Sequence, residues 1–191
     1  MQSRNDILTV EAMGAADRYA TEHGRSGGVL MDAAGGGLAR AIIARWSPRA
    51  TAVLCGPGNN GGDGWEAAAQ LKQAGWPVAV FSMVARQDLK GDAARAADKW
   101  DGPVSSLEDC DPGRFDLVID ALFGAGLSRP LEGAPARLAE GFNERRGQGG
   151  VTVSADVPSG LDGDLAHAED PAFEADLTVT FHRLKPAHLL Q

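Results

Sequence analysis

Apolar residues recur at helical spacing near the start of the chain and in short continuous runs farther on. Val10, Met13, Ala16 and Ala20 share one face of a helix from Val10 to about His23, with Thr9 placed to cap it and Gly24 to end it. A second helix fits Val29 to Trp46, on a face of mostly small residues from Leu30 through Ala34, Leu38 and Ile42, and Ser47-Pro48 stops it. Gly35-Gly36-Gly37 lies inside that helix. Each glycine there lowers helix stability by roughly 1 kcal/mol relative to alanine, so close packing or the approach of a ligand is expected. From Thr51 the pattern changes to strands at 51–55, 77–82, 116–120, 151–155 and 176–181, separated by helical stretches near 64–74, 88–100 and 135–146. This alternation predicts one α/β domain with a mainly parallel central sheet, covered on both faces and preceded by two helices. In such a sheet the polar residues just after each strand meet at one edge.

The first strand end is the richest. Cys55-Gly56-Pro57-Gly58-Asn59-Asn60-Gly61-Gly62-Asp63-Gly64 joins a β-branched run to a stretch of good helix formers, so it reads as strand, glycine-rich turn and helix. Gly56, Gly58 and Gly61 satisfy the dinucleotide fingerprint G-x-G-x-x-G. Its partner is missing: the next strand, Pro77 to Ser82, ends without the acid that would meet a ribose hydroxyl. Pro57 also removes an N–H donor, and Asp63 puts a carboxylate where a pyrophosphate would be repelled. A turn of amide oxygens, amide donors and one acid suits hydroxyls, an amide or a cation better than a bare phosphate. The plainer alternative is a βα turn that uses Gly and Asn only for backbone reasons.

Three further strand ends point to the same edge. Asp120 closes the 116–120 run and opens into Ala121-Leu122-Phe123-Gly124-Ala125-Gly126-Leu127-Ser128-Arg129-Pro130, where Arg129 is a candidate for pairing with a phosphate. Asp156 follows the 151–155 run and leads into Val157-Pro158-Ser159-Gly160. Its position just past a strand permits partial burial, which makes it the best catalytic candidate; Asp162 and Asp164 read as turn residues. The last end, Phe181-His182-Arg183-Leu184-Lys185-Pro186, supplies cations, with Lys185 a candidate partner for a phosphate or an acid. Asn60, Asp120 and Ser159 together offer oxygen ligands carrying one negative charge. That set favours a weakly held monovalent ion over zinc, for which there is no Cys/His group.

Composition narrows the class. The 191 residues, 43% hydrophobic and 23% charged, suit one soluble domain of ordinary size. A net charge of −8 with no dense Lys/Arg cluster argues against a nucleic-acid surface. Two cysteines, Cys55 and Cys110, make neither a disulfide framework nor a metal knuckle and fit a reducing cytoplasm. The polar start Met1-Gln2-Ser3-Arg4-Asn5-Asp6 lacks the apolar centre of a signal peptide, and no apolar run approaches the length of a membrane span.

Taken together, these strings resemble the NAD(P)H-hydrate epimerases, the YjeF N-terminal domain. The resemblance covers nearly the whole chain: Leu8-Thr9 with Met13 and Asp17, Leu30-Met31 with Ala34-Gly35, Gly58 to Gly64, Asp120 to Gly124, Gly126 to Pro130, Asp156 to Gly160, and Thr178 to Phe181 with Lys185-Pro186. It implies a Rossmann-like three-layer sandwich that interconverts the R and S forms of hydrated NADH and NADPH. By motif match, Asn59, Asn60, Gly61, Gly62, Asp63, Gly124, Ala125, Gly126, Leu127, Ser128, Arg129, Pro130 and Asp156 bind the hydrate, while Asn60, Asp120 and Ser159 hold potassium. It also implies a homodimer, with the first two helices as the expected interface. Two departures stand out. Trp65 occupies a position where the family commonly has a smaller aliphatic residue, so either a different entry of the first helix or an aromatic wall to the pocket is expected. The chain also ends at Gln191, where relatives continue into a short strand and often into an ADP- or ATP-dependent dehydratase domain; a truncated epimerase domain spanning 1–191 is therefore expected.

Two other readings compete. A non-catalytic nucleotide- or protein-binding module of the same fold would be expected to lose the polar site residues, which are all present here. A nicotinamide-dependent oxidoreductase would need the ribose acid and a hydride-transfer constellation, which this sequence lacks.

Overall fold

The computed structural model describes residues 6–165, 167–168 and 171–190. The polar start at residues 1–5, read above as lacking a signal peptide, and the terminal Gln191 lie outside that description. Two helices, α1 (Val10–Glu22) and α2 (Gly27–Ile43), precede a parallel sheet. The Thr9 hydroxyl caps α1 by accepting the Ala12 N–H at 3.2 Å, as the sequence predicts. Helix α2 starts two residues earlier than Val29, and its first turn, Gly27-Gly28, packs against the side-chain ends of Asp92 and Arg95.

The sheet comprises β1 (Thr51–Cys55), β2 (Val78–Ser82), β3 (Val104–Ser106), β4 (Leu117–Ala121), β5 (Val151–Ala155) and β6 (Leu177–Val179). Helices α3 (Asn59–Gln73), α4 (Gly91–Ala97) and α5 (Ala134–Gly147) make the crossovers, and α6 (Ala187–Leu190) follows β6. The strand order is β3-β2-β1-β4-β5-β6, and every pairing is parallel. The sequence pattern predicts five of these strands. β3 is the sixth, a short edge strand with two exposed serines and too few apolar positions to show a period.

Strand pleating divides the core into two layers. Val53 faces Leu38, Ile42, Trp65 and Leu71 beneath α2 and α3, whereas Ala52 and Leu54 face Leu138, Phe142 and Phe173 beneath α5. Each large apolar side chain buried in this way contributes about 1.5–3 kcal/mol. Of the three consecutive glycines in α2, Gly35 is explained by close packing: a Cβ there would come within 2.5 Å of the Glu66 Cβ and 2.7 Å of the Asp63 carbonyl, whereas Gly37 has no contact closer than 3.9 Å. Trp65 is fully buried between α3 and the sheet, so it fills the core and forms no wall of the pocket. Both cysteines are buried and unpaired, and burial pushes their thiols up, to about 12 for Cys110. Among the described residues no helix is long and apolar enough to cross a membrane.

The direction in which strands are added reverses between β1 and β4, which are adjacent and parallel although β2 and β3 intervene in sequence. This switch point opens a crevice at the carboxyl ends of the strands.

Candidate functional site

Four strand exits, those of β1, β4, β5 and β6, converge at the crevice. After β1, Gly56 lies against the β4 exit so closely that a Cβ there would sit 1.8 Å from the Leu122 carbonyl oxygen. Gly61 in turn packs onto the Gly56 carbonyl, 1.9 Å from where its own Cβ would be. The glycine-rich stretch is therefore the first turn of α3 rather than a loose loop, and the helix starts at Asn59, five residues before the predicted 64. The free N–H groups at its N-terminus face the crevice side of the sheet.

Asp120, at the end of β4, is fully buried. Its Oδ1 accepts the Ser159 hydroxyl at 2.6 Å and the Leu122 N–H at 3.3 Å; its Oδ2 accepts the Ser159 N–H at 2.8 Å and the Ser154 hydroxyl at 3.0 Å. Burial pushes its carboxyl up to about 6 against the opposing pull of these donors, so the group is mainly ionised at neutral pH. The Ser159 Oγ also accepts the Phe123 N–H at 3.0 Å and lies 3.1 Å from the Phe123 carbonyl oxygen. Nearby, the Asn60 side-chain nitrogen is buried without a partner. Exchanging the amide's O and N, which look alike to most methods, would aim an oxygen at that spot. One carboxylate with amide, hydroxyl and carbonyl oxygens fits a hard monovalent cation. Among the described residues no group of three or more His, Cys, Asp or Glu side chains could hold a metal ion.

Asp156 follows β5 in the left-handed region, with φ 68°, a conformation that asparagine and aspartate adopt more readily than other non-glycine residues. Its N–H donates to the Val179 carbonyl at 2.8 Å. Its side chain is 16% exposed, the partial burial expected at a strand end. Oδ2 accepts the Ala125 N–H at 3.1 Å and lies 3.0 Å from the position a Gly124 Cβ would take; Asn60 borders that same position at 3.6 Å. Oδ1 meets the Lys185 ammonium and accepts the Thr180 hydroxyl at 3.1 Å. Lys185 thus faces an acid, one of the two partners its sequence position suggests; Thr180 went unnoticed because a lone threonine after a strand carries no pattern.

Asp63 is buried on the first turns of α3 and accepts no hydrogen bond from the described residues. Burial, then the charges of Asp156 and Asp17, push its carboxyl up to about 8. At neutral pH it therefore presents an O–H donor where the sequence suggested a repelling charge.

The predicted substrate residues separate into two groups. Asn60, Asp63, Gly124 and Ala125 gather around Asp156, whereas Leu127, Arg129 and Pro130 line an adjoining cleft of about 320 Å³ with Met83 and Phe123. Arg129 and Ser128 are exposed there, and Gly126 has open space beside it. A larger cleft, of about 730 Å³, lies elsewhere, against α5 and Phe173, and contains none of the predicted residues. Gly124 sits at the contact between the groups. Gly124→Ala is expected to lower turnover at least tenfold while shifting the melting temperature by no more than a few degrees, because its Cβ would crowd only Asp156 and Asn60. Steady-state kinetics beside calorimetry checks this.

The order of the sheet and the polar switch point define a Rossmann-like α/β sandwich with a small-molecule site at its carboxyl edge. A family model described as YjeF-related protein N-terminus matches residues 27–187, and the chain belongs to that family. It is 39% identical over 198 residues to an NAD(P)H-hydrate epimerase of Rhodobacter capsulatus, covering 96% of this chain and 91% of that protein. An NAD(P)H-hydrate epimerase of Roseobacter litoralis is 37% identical over 213 residues, covering 96% and 92%. A bifunctional NAD(P)H-hydrate repair enzyme Nnr of Thermofilum pendens is 38% identical, but this chain spans only 37% of its length. The crystal structure of the yeast protein ynu0 superposes with a TM-score of 0.83 at 24% identity, over 96% of this chain and 83% of that one.

Proposed function

We propose that the chain is an NAD(P)H-hydrate epimerase, an isomerase that interconverts the R and S forms of hydrated NADH and NADPH. The observation that carries this reading is the Asp156 carboxylate. It is fixed by a left-handed backbone and by Thr180 and Lys185, and its Oδ2 is turned toward Gly124 and Asn60. The similarity of 96% of the chain to two proteins named as such epimerases supports the same reading.

The reacting carbon bears both the ring nitrogen and the added hydroxyl. Inversion there requires one of its bonds to open and re-form on the other face, and either route moves a proton at the hydroxyl. Asp156 Oδ2 is the acid/base for that proton. The protonated Asp63 offers a hydrogen bond to a hydroxyl or amide oxygen of the substrate, and Asn59, Asn60, Gly61 and Gly62 hold the substrate at the N-terminus of α3. Gly124, Ala125, Gly126, Leu127, Ser128, Arg129 and Pro130 form the wall that receives the rest of the nucleotide, with Arg129 available to a phosphate.

Asn60, Asp120 and Ser159 are proposed to hold potassium, with the Phe123 carbonyl as a further oxygen. Bound there, the ion supplies a fixed positive charge for oxygen that gains negative charge during reaction. The protein is further proposed to act in the cytoplasm as a homodimer through α1 and α2, whose exposed Tyr19, Val29 and Ile43 support such a contact. It is also proposed to work beside an ADP- or ATP-dependent dehydratase, as the bifunctional name of its Thermofilum pendens relative suggests.

The test is to incubate the purified chain with the R form of hydrated NADH and separate the two forms by chromatography, in potassium and in tetramethylammonium buffers. The S form should accumulate, and its rate should fall at least tenfold without potassium. No conversion together with saturable binding of NADP would favour a binding module instead.

A further inference from the structure

The segment after β6 does more than close the fold. Lys185 is 3% exposed, yet its ammonium is provided for: it meets Asp156 Oδ1 and donates to the Thr180 hydroxyl at 2.9 Å. The backbone around it is held from several sides. His188 Nδ1 accepts the Lys185 N–H at 2.9 Å, while His188 Nε2 lies 2.7 Å from the Asp156 carbonyl oxygen. With Nδ1 accepting, the proton belongs on Nε2, which donates to that carbonyl. One imidazole therefore ties the backbone of the lysine to the backbone of the acid. Leu8 N–H donates to the Leu184 carbonyl at 2.9 Å, and Ala187 N–H to the Gly163 carbonyl at 3.0 Å, which anchors the segment to the N-terminal residues and to the loop after β5.

The two carboxylate oxygens of Asp156 consequently have unequal surroundings. Oδ1 carries the ammonium and a hydroxyl; Oδ2 carries one backbone N–H and borders Gly124 and Asn60. A carboxylate held in this way cannot rotate to exchange its oxygens without breaking a buried ion pair, which leaves a charge uncompensated.

We infer that Lys185 is a positioning residue for the inversion: by holding Asp156 Oδ1 with Thr180, it keeps Oδ2 aimed into the crevice. The inference rests on Asp156 being the acid/base of the proposed epimerase. Lys185 touches the carboxylate rather than the reacting carbon, so its loss should be felt in turnover more than in substrate affinity.

The experiment compares Lys185→Met, Lys185→Ala and Asp156→Asn in the full chain, with melting temperatures, kcat and KM for the R form of hydrated NADH. Ethylammonium is added to the alanine variant as a replacement for the missing ammonium. Lys185→Met is expected to lose roughly 100-fold in kcat with KM within about threefold of the parent. Lys185→Ala should regain at least about tenfold in kcat, saturably, with ethylammonium. A kcat within threefold of the parent in folded Lys185→Met overturns the inference, as does a folded but unrescued Lys185→Ala. Failure of both lysine variants to fold would assign Lys185 to the fold alone and also overturn it. Full activity in Asp156→Asn is the distinct result that removes the acid/base reading beneath it.

Discussion

Asp156→Asn is expected to lower epimerisation by about 10²–10⁴-fold, the range attributable to one positioned acid/base group, and to lower the melting temperature as well, because the buried Lys185 ammonium loses its charged partner. Asparagine is the informative replacement for a backbone reason. Residue 156 has φ 68°, and asparagine is as much at home there as aspartate, whereas alanine would add strain on the order of 1 kcal/mol to the loss of the carboxylate. The asparagine side chain can still accept the Thr180 hydroxyl and the Ala125 N–H through its oxygen, but not both through one orientation of the amide. It also leaves Lys185 facing a neutral partner. Chromatographic separation of the R and S hydrates gives the rate, and calorimetry gives the melting temperature. Near-full activity in a folded variant would remove Asp156 from the chemistry.

Asp63→Asn is expected to stabilise the protein on the alkaline side. The Asp63 carboxyl is raised from an ordinary value of 3.8 to about 8, first by burial and then by Asp156 and Asp17. A carboxyl raised in the folded state binds its proton more tightly there than in the unfolded chain. Stability therefore falls as pH rises from about 4 to about 8, and the loss is complete above that window. At about 1.4 kcal/mol per pH unit, the whole window represents at most on the order of 5 kcal/mol. An amide cannot ionise, so the variant should lack this slope and unfold at higher urea than the parent near pH 9, with the difference vanishing near pH 4. Urea titrations across that range measure both effects. Equal slopes in parent and variant would show that Asp63 does not carry the buried proton.

Much of this was legible in the sequence. Strand runs such as Val53-Leu54 and Val118-Ile119 are continuously apolar because both faces of a parallel strand are covered, and their short length between turn residues marks them as strands. The polar groups at their ends stood out because nothing in a buried strand calls for Asp120 or Asp156. What escaped was set by tertiary packing. The start of α3 was placed too late because glycine and asparagine read as loop, yet here they are what lets the helix begin hard against the β4 exit. Trp65 departs from the smaller residue of the family, which suggests an altered helix entry or a pocket wall; its helical position faces the core instead. The role of Thr180 and the linkage through His188 depend on contacts between separate loops, for which single residues leave no local signal.

The contact of Gly56 with the Leu122 carbonyl has a consequence for how this site can diversify. The inner ends of the two loops touch backbone to backbone, so position 56 has no room for a side chain, and Gly61 at the start of α3 is held against it in the same way. The outer half is different: Gly126 has nothing within 4 Å, and Ser128 and Arg129 are exposed. Substitutions from Gly126 to Pro130 therefore have the room that position 56 lacks, and the proposed nucleotide wall can be altered there without disturbing that inner contact.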